Sequence, residues 1–161
     1  MLNELHPQAA RIAEALKARR EKIAVADGAT GGLIGAALLT VPGALKFYVG
    51  GGIVYSLRGR EVLFGLPDEA FAGMRSATPD YALMQARAIR DNFGADWGIA
   101  ETGSAGGSRH PMGVASGISC CAVVGPGVEL TRVTETASDD RIGNMQLFTR
   151  AALDLLESAL A

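Results

Sequence analysis

A chain of 161 residues is long enough to bury a hydrophobic core, and a content of 48% hydrophobic and 20% charged residues excludes a disordered protein. A net charge of −2 at pH 7 excludes the basic surface typical of nucleic-acid-binding proteins. No segment approaches the roughly 20 apolar residues of a membrane span, and the first residues do not resemble a signal peptide. We therefore expect a single cytoplasmic domain over residues 1–161, without membrane or nucleic-acid partners.

The first part of the chain alternates helical and strand patterns. An apolar stripe at helical spacing predicts a helix that begins near Pro7, and its members are Leu5, Ala9, Ile12 and Leu16. The apolar run Lys22–Ala26 predicts a buried strand. Gly31–Leu39 predicts a buried helix that ends before Pro42-Gly43.

The middle of the chain continues this alternation. Phe47–Ser56 predicts a strand, in which three consecutive glycines indicate a bulge or the close approach of another backbone or a ligand. A short helix is predicted at Arg58–Phe64, and a longer one begins at Thr78-Pro79-Asp80 with one apolar face formed by Tyr81, Met84 and Ala88. The next predicted strand is Asp96–Ala100.

The last part of the chain predicts a β-hairpin and a closing helix. Two β-rich runs, Met112–Val124 and Val128–Thr136, flank a Gly-Pro-Gly turn, and a helix spans Asp139–Leu160. The adjacent Cys120 and Cys121 should point to opposite faces of their strand, as buried structural thiols. This order of elements favours an α/β fold, a three-layer α/β/α sandwich with a mixed sheet.

Two glycine-rich segments, residues 26–32 and 102–107, follow predicted strands, and we interpret both as strand-to-helix junctions. Glycines let a ligand approach the backbone closely, and a helix that begins after the first segment would point free N–H groups at that ligand. Ligands of open α/β sheets bind at the carboxyl ends of the strands. The two segments therefore predict one pocket for a phosphate or a carboxylate.

Seven short motifs follow one another over nearly the whole chain: Ala26–Ile34, Val41-Pro42-Gly43, Gly51–Ser56, Phe93–Asp96, Thr102–Gly106, Pro111-Met112-Gly113 and Asp140-Arg141. In this order and spacing they resemble the CinA carboxy-terminal domain family, the nicotinamide mononucleotide deamidases. The resemblance implies hydrolysis of the carboxamide of nicotinamide mononucleotide, which gives the nicotinate nucleotide and ammonia. It also implies a homo-oligomer, and we expect neither a cofactor nor a metal.

Two positions that carry the family's chemistry are changed in this chain. The family's first motif, Ala-Glu-Ser-Cys-Thr-Gly-Gly, supplies a serine nucleophile, whereas this chain has Gly28 there and Asp27 in place of the glutamate. The second motif, Tyr-Ser-Asn-Glu-Ala-Lys, supplies a lysine thought to activate the serine, and Arg60 replaces it. Glycine has no attacking atom, and arginine, with a pKa above about 12, cannot act as a base. We therefore do not expect the family's mechanism.

The positions that the resemblance assigns to ligand binding are largely retained. Together with the glycine-rich segments they predict these ligand-binding residues: Gly28, Thr30, Gly31, Gly32, Thr102, Gly103, Ser104, Ala105, Gly106 and Arg141. Arg141 would pair with a phosphate through two parallel N–H donors, or else with Asp139 or Asp140. Glu101, at a position that is usually apolar in the family, would repel a phosphate placed beside it.

Few side chains near the predicted pocket offer catalysis. The candidates are Asp27, Tyr55 and Arg60. Asp27 either holds a water as general base or caps the following helix, and Tyr55 by its own pattern is expected to be a core aromatic. The pocket region holds four further side chains that could act as a nucleophile or a base: Ser56, Ser104, Ser108 and His110. Serine and a single histidine are common in solvated loops, so these residues are more typical of ordinary loops than of a catalytic site.

Three functions therefore stay open. The first is a nucleotide- or anion-binding relative that has lost the hydrolytic dyad. The second is an amidohydrolase with a rearranged site, in which Asp27 activates a water that attacks nicotinamide mononucleotide or another amide. The third is a structural or oligomer-forming protein with a vestigial pocket.

Overall fold

A five-stranded sheet forms the centre of the computed structural model, which describes residues 1–161. Its strands are β1 (Ile23–Asp27), β2 (Tyr48–Ile53), β3 (Trp97–Ser104), β4 (Ile118–Gly125) and β5 (Val128–Glu135). They lie in the order β2-β1-β3-β4-β5. β1 is parallel to β2 and β3, whereas β4 is antiparallel to β3 and β5, so the predicted mixed sheet is confirmed.

Five helices cover both faces of the sheet: α1 (Leu2–Arg19), α2 (Leu33–Leu39), α3 (Leu57–Phe64), α4 (Pro79–Phe93) and α5 (Arg141–Leu160). α1, α2 and α5 share a core with strand residues such as Val25 and Ile99. α3 and α4 share a second core with Ala24 and Ala100 on the opposite face. Because successive strand residues point to opposite faces, the predicted three-layer α/β/α sandwich is confirmed. None of the helices has the length and apolar character needed to cross a lipid bilayer.

Four helices begin at residues other than the predicted ones: α3 begins at Leu57, one residue before its predicted start, and α5 at Arg141, two residues after its predicted start. α1 begins at Leu2, so that Pro7 lies inside the helix instead of near its start. α2 begins at Leu33 and not at Gly31, because Gly31 and Gly32 have φ angles of 65° and 95°. These left-handed conformations interrupt a right-handed helix and are accessible to glycine without strain.

The second glycine-rich segment is not a strand-to-helix junction, so that interpretation is wrong. β3 continues through residues 102–104, which pair with β4 in antiparallel register, for example Thr102 with Cys120. The loop 105–117 then leads directly to β4, which begins at Ile118 and not at Met112. Pairing with β4 satisfies the backbone hydrogen bonds of the polar end of β3 and keeps it extended.

The glycines of β2 permit close contacts with neighbouring elements. A Cβ atom added at Gly51 would lie 2.0 Å from the carbonyl oxygen of Val25 in β1. One added at Gly50 would lie 2.5 Å from the ring of Phe93. The predicted close approach of another backbone to this glycine run is therefore confirmed.

The two cysteines of β4 point to opposite faces, as predicted, with Cys121 in the first core and Cys120 in the second. They form no disulfide. Burial, reinforced by the nearby Glu101 carboxylate, raises the pKa of each thiol to about 12. Both thiols are thus protonated at neutral pH and chemically inert, because the thiolate is the reactive form.

Candidate functional site

A cavity of about 640 Å³ lies at the carboxyl ends of the parallel strands, where the sequence predicts the pocket. Its wall is formed by residues 28–29 after β1, 54–57 after β2 and 101–106 at the end of β3, with further residues from α4 and the loop after β3. Parallel strands bring their carboxyl ends to one edge of the sheet, so these loops meet there although they are far apart in sequence.

The cavity brings together most, but not all, of the predicted site residues. Those that line it are Gly28, Tyr55, Thr102, Gly103, Ser104, Ala105, Gly106 and Arg141. Thr30, Gly31, Asp27 and Arg60 do not line it, and Gly32 borders a separate depression of about 290 Å³ beside Asp27. Tyr55 is 79% exposed at the rim, so the expectation of a core aromatic is wrong.

The N-terminus of α2 is occupied by the side chain of Asp27. The backbone N–H groups of Ile34 and Gly35 donate to its two carboxylate oxygens at 3.0 and 3.1 Å. The Thr30 hydroxyl lies 2.7 Å from the same carboxylate. The expectation that α2 points these free N–H groups at a ligand is therefore wrong, because a protein carboxylate already accepts them.

Glu101 lies at the centre of a buried polar network. Its side chain is 1% exposed and accepts a hydrogen bond from the backbone N–H of Thr30 at 3.0 Å. The Ser119 hydroxyl is 2.5 Å from its other carboxyl oxygen. Burial raises the pKa of Glu101 above its usual value, and the neighbouring Asp27 carboxylate reinforces the shift. Both carboxyl oxygens of Glu101 are thus engaged by protein donors, and the repulsion of a phosphate beside it stays a prediction.

Replacement of Glu101 by Gln is expected to stabilise the protein at neutral and alkaline pH. The pKa of Glu101 is raised in the folded state, so the folded protein binds more protons than the unfolded chain above the unfolded value near 4.3. The wild-type free energy of unfolding should therefore fall as pH rises from there through the folded pKa. Urea unfolding from pH 4.5 to 8 should show a smaller decrease for Glu101→Gln than for wild type.

The exposed Glu135 on β5 supplies the matched control for that measurement. Glu135→Gln should leave the pH dependence of the unfolding free energy close to that of wild type. If the free energy of unfolding fell equally with pH in Glu101→Gln and in wild type, the raised pKa of Glu101 in the folded protein would be contradicted.

Arg60 is a buried residue of α3 and is held in a structural position. It is 7% exposed, and its guanidinium donates to the Tyr81 hydroxyl at 3.2 Å and to the Asp68 carboxylate at 2.7 Å. The same group lies 4.1 Å from the centroid of the Phe71 ring. These contacts attach the segment around residues 68–71 to the rest of the domain, and Arg60 itself does not line the cavity.

The backbone at Gly28 leaves no room for a side chain. A Cβ atom added there would lie 2.3 Å from the carbonyl oxygen of Glu101 and 3.1 Å from its carbonyl carbon. Glu101 belongs to β3, which is paired with β1 on one side and β4 on the other, so its backbone cannot move aside independently. Gly28 is thus fixed as glycine by the packing of the central strand.

Two arginines give the cavity positive charge. Arg109 and Arg141 both line it, and neither forms a salt bridge. Arg141 donates to the carbonyl oxygen of Gly106 at 2.7 Å. The alternative ion pairs are absent because Asp139 accepts from the Gly107 N–H at 2.8 Å and Asp140 caps α5 by accepting from the Gly143 N–H.

The loop serines and His110 have modest roles in the site. Ser56, Ser104 and Ser108 all line the cavity, and Ser56 also caps α3 by accepting a hydrogen bond from the Gly59 N–H. His110 also lines it, and its Nδ1 lies 3.1 Å from the Met112 nitrogen. Burial lowers the pKa of His110, which favours the neutral ring and adds no cation to the site.

Sequence reasoning missed four polar residues of the cavity wall, which are Ser76, Tyr81, Gln85 and Arg109. Gln85 is 3% exposed on the buried face of α4, beside the apolar Ala82 and Ile89. A glutamine at a position where the helical periodicity requires an apolar residue was the available signal.

The chain matches the family model described as the CinA C-terminal domain over residues 5–160. A CinA-like protein of Myxococcus xanthus is 32% identical over 136 residues, which are 83% of this chain and 32% of that protein. A CinA-like protein of Prochlorococcus marinus is 32% identical over 152 residues, 92% of this chain and 35% of that protein. The chain thus spans about a third of the length of these curated relatives.

Solved structures with the same fold cover nearly the entire chain. The CinA superfamily protein from Klebsiella pneumoniae 700603 has a TM-score of 0.87 at 25% identity and covers 97% of both chains. The competence or damage-inducible protein from Enterobacter asburiae has a TM-score of 0.88 at 25% identity and covers 98% of both. Sequence and fold agree from the first helix to the last, and the chain belongs to the CinA C-terminal domain family.

Proposed function

We propose that this chain binds a nucleotide or another small anion in the cavity and does not hydrolyse amides by the mechanism that the family resemblance implies. The contact at Gly28 carries the proposal. The position that the resemblance assigns to the serine nucleophile has no side chain, and a Cβ atom there would overlap the Glu101 carbonyl oxygen at 2.3 Å. Loss of the nucleophile is thus built into the packing of β3.

The environment of Arg60 supports the same conclusion about chemistry. A guanidinium stays protonated and cannot take a proton from a nucleophile. Arg60 also points into contacts with Tyr81, Asp68 and Phe71 and does not line the cavity. Both members of the expected dyad are therefore replaced by residues with structural roles.

The charge of the cavity supports binding of an anion. Arg109 and Arg141 have no carboxylate partners, whereas Glu101, the one acidic residue that lines the cavity, has a raised pKa because of burial. Arg141 is held by the carbonyl oxygen of Gly106, which leaves further guanidinium N–H groups for a phosphate. A phosphate-bearing ligand thus meets a net positive surface.

The Arg141→Ala variant should bind nicotinamide mononucleotide about 10-fold to 100-fold more weakly than wild type, because a charge-assisted hydrogen bond contributes about 1.5–3 kcal/mol. Isothermal titration calorimetry gives the dissociation constants. The control is Arg150→Ala on the same helix, which removes an exposed ion pair with Glu4 far from the cavity and should leave affinity unchanged.

Ammonia and melting temperature, followed in the same samples, test the proposal as a whole. Ligand at 100 times its dissociation constant should stabilise the fold by about 2.7 kcal/mol, which is a readily measured shift. A thermal shift without ammonia is the expected result. Ammonia release at enzyme-like rates would contradict the proposed loss of hydrolysis. If no nucleotide raised the melting temperature, the third function, a structural or oligomer-forming protein, would be favoured.

A further inference from the structure

We propose that binding of an anion in the cavity is coupled to uptake of a proton by Glu101. The cavity then accepts a phosphate- or sulfate-like group while this carboxyl is neutral and loses affinity when it ionises. The coupling rests on the proposed binding function, because it concerns the same cavity. It adds the condition under which the anion binds, whatever molecule carries it.

The carboxyl group of Glu101 lies immediately behind the wall of the cavity. A Cβ atom added at Gly28 would lie 3.2 Å from its Oε2 atom, and one added at Gly103 would lie 2.9 Å from its Oε1 atom. Both glycines line the cavity, and neither has a side chain that would separate the carboxyl from a ligand. A charge on Glu101 therefore acts on the cavity from inside the protein, where solvent and salt screen it little.

The hydrogen bonds of Thr30 indicate where the proton of this network lies. Its hydroxyl oxygen is 2.7 Å from Asp27 Oδ1 and 3.2 Å from Glu101 Oε2. A hydroxyl donates one proton, and the shorter distance assigns that proton to Asp27. The contact with Glu101 is then a hydrogen bond only if Oε2 is protonated and donates to the Thr30 oxygen. The Ser119 hydroxyl at Oε1 is compatible with this, because Oε1 remains an acceptor.

The donors to Asp27 keep the negative charge of the pair on that residue. Besides the Thr30 hydroxyl, the backbone N–H groups of Ile34 and Gly35 donate to its carboxylate at 3.0 and 3.1 Å. Burial raises the pKa of both carboxyl groups, but these donors favour the charged form of Asp27, and that charge opposes ionisation of Glu101. Glu101 is thus the member of the pair that gains and loses a proton.

The other ionisable groups packed around this pair keep a fixed charge near neutral pH. Burial raises the pKa of the two thiols of β4, and that of the Tyr48 hydroxyl near Asp27, to about 12. α2 has no ionisable side chain, and the charged residues of α5 after Arg141 pair with residues of α1 and β5. The charge behind the cavity wall therefore changes with pH through Glu101.

On the cavity side, one further group changes its charge with pH. Arg109 and Arg141 stay protonated, but His110 lines the same wall and titrates. Protonation of His110 favours an anion just as protonation of Glu101 does. The pH dependence of affinity alone does not separate the two residues, so the experiment observes the Glu101 carboxyl directly.

Carbon NMR of this carboxyl measures the coupling. Protein labelled with carbon-13 glutamate is titrated from pH 4.5 to 9 in sodium sulfate and in sodium chloride of equal ionic strength, since sulfate stays a dianion over this range. The Glu101 resonance, assigned by its absence from Glu101→Gln, should titrate about one pH unit higher in sulfate. By linkage, this equals about a tenfold loss of sulfate affinity once Glu101 ionises. The carboxyl carbon of the exposed Glu135 should titrate at the same pH in both salts.

Sulfate affinity is read from the methyl resonance of Ala105, which lines the cavity. The affinity should fall with rising pH in wild type and in His110→Gln, whereas Glu101→Gln should lose most of this fall. The His110→Gln variant separates the contribution of the histidine from that of the carboxyl group.

Failure of the coupling and failure of anion binding give different results. Sulfate that shifts the Ala105 methyl resonance but leaves the Glu101 titration unmoved would overturn the coupling and leave anion binding standing. A Glu101 carboxyl that stays in one ionisation state from pH 4.5 to 9 would overturn it as well. If neither sulfate nor nicotinamide mononucleotide shifted the Ala105 resonance at any pH, the proposed binding function would be wrong, and the coupling with it.

Discussion

Substitution of Gly28 by Ser, which introduces the nucleophile expected from the family resemblance, should destabilise this protein and produce no ammonia from nicotinamide mononucleotide. The added Cβ atom would lie 2.3 Å from the carbonyl oxygen of Glu101 and 3.2 Å from its Oε2 atom. Overpacking of this kind costs about 1–3 kcal/mol, which lowers the melting temperature of a domain of this size by roughly 2–12 °C. Calorimetric unfolding and an ammonia assay measure both effects.

The companion variant Gly28→Ser with Arg60→Lys introduces both members of the expected dyad. It should also release no ammonia, since the residue 60 side chain is held by Asp68 and Tyr81 and does not line the cavity. The control is Gly59→Ser in α3, where an added Cβ atom meets nothing closer than 3.5 Å. Gly59→Ser should be neutral or slightly stabilising, because serine favours a helix more than glycine does. Ammonia from the double variant at wild-type stability would contradict the closed packing at residue 28.

The order and type of the elements were predictable because local pattern decides them. The apolar stripe of α1 and the β-rich runs of the hairpin are periodicities that burial on one or two faces imposes. The end of β3 was not predictable from this information. Thr102–Ser104 has the composition of a loop, and only its pairing with β4, which is distant in sequence, makes it a strand.

Some features of the candidate site were likewise predictable from the sequence, and others were not. The glycine-rich segments were visible in the sequence, and the sheet brings parts of both to one cavity. The contact between the Thr30 N–H and Glu101 was not visible, because these residues are separated by 71 positions in the chain and their contact depends on the register of β1 and β3. Tyr55 was misplaced for a related reason: an aromatic residue after an apolar strand resembles a core residue until the strand proves to be at the sheet edge.

The Asp27→Ala variant should lose about 3–5 kcal/mol of unfolding free energy. Asp27 is 3% exposed and accepts hydrogen bonds from the Thr30 hydroxyl and from the backbone N–H groups of Ile34 and Gly35. Alanine leaves the two buried N–H groups without an acceptor, while the Thr30 hydroxyl keeps the Glu101 carboxyl oxygen at 3.2 Å. Each unsatisfied donor costs about 1–3 kcal/mol, offset in part by removal of a buried carboxylate. Urea unfolding measures the loss, which should be absent from Asp80→Ala at the exposed start of α4.

The Asp27→Asn variant separates the structural role of this side chain from catalysis. Its amide keeps one acceptor oxygen for Thr30 and Ile34 but turns an N–H donor toward the Gly35 N–H, so a loss of about 1–2 kcal/mol is expected. If Asp27 instead activated a water, the unmodified protein would release ammonia and Asp27→Asn would abolish the release with little change in stability. Because Asp27 does not line the larger cavity and all three of its partners lie in or before α2, we expect Asp27→Asn to affect stability and not turnover.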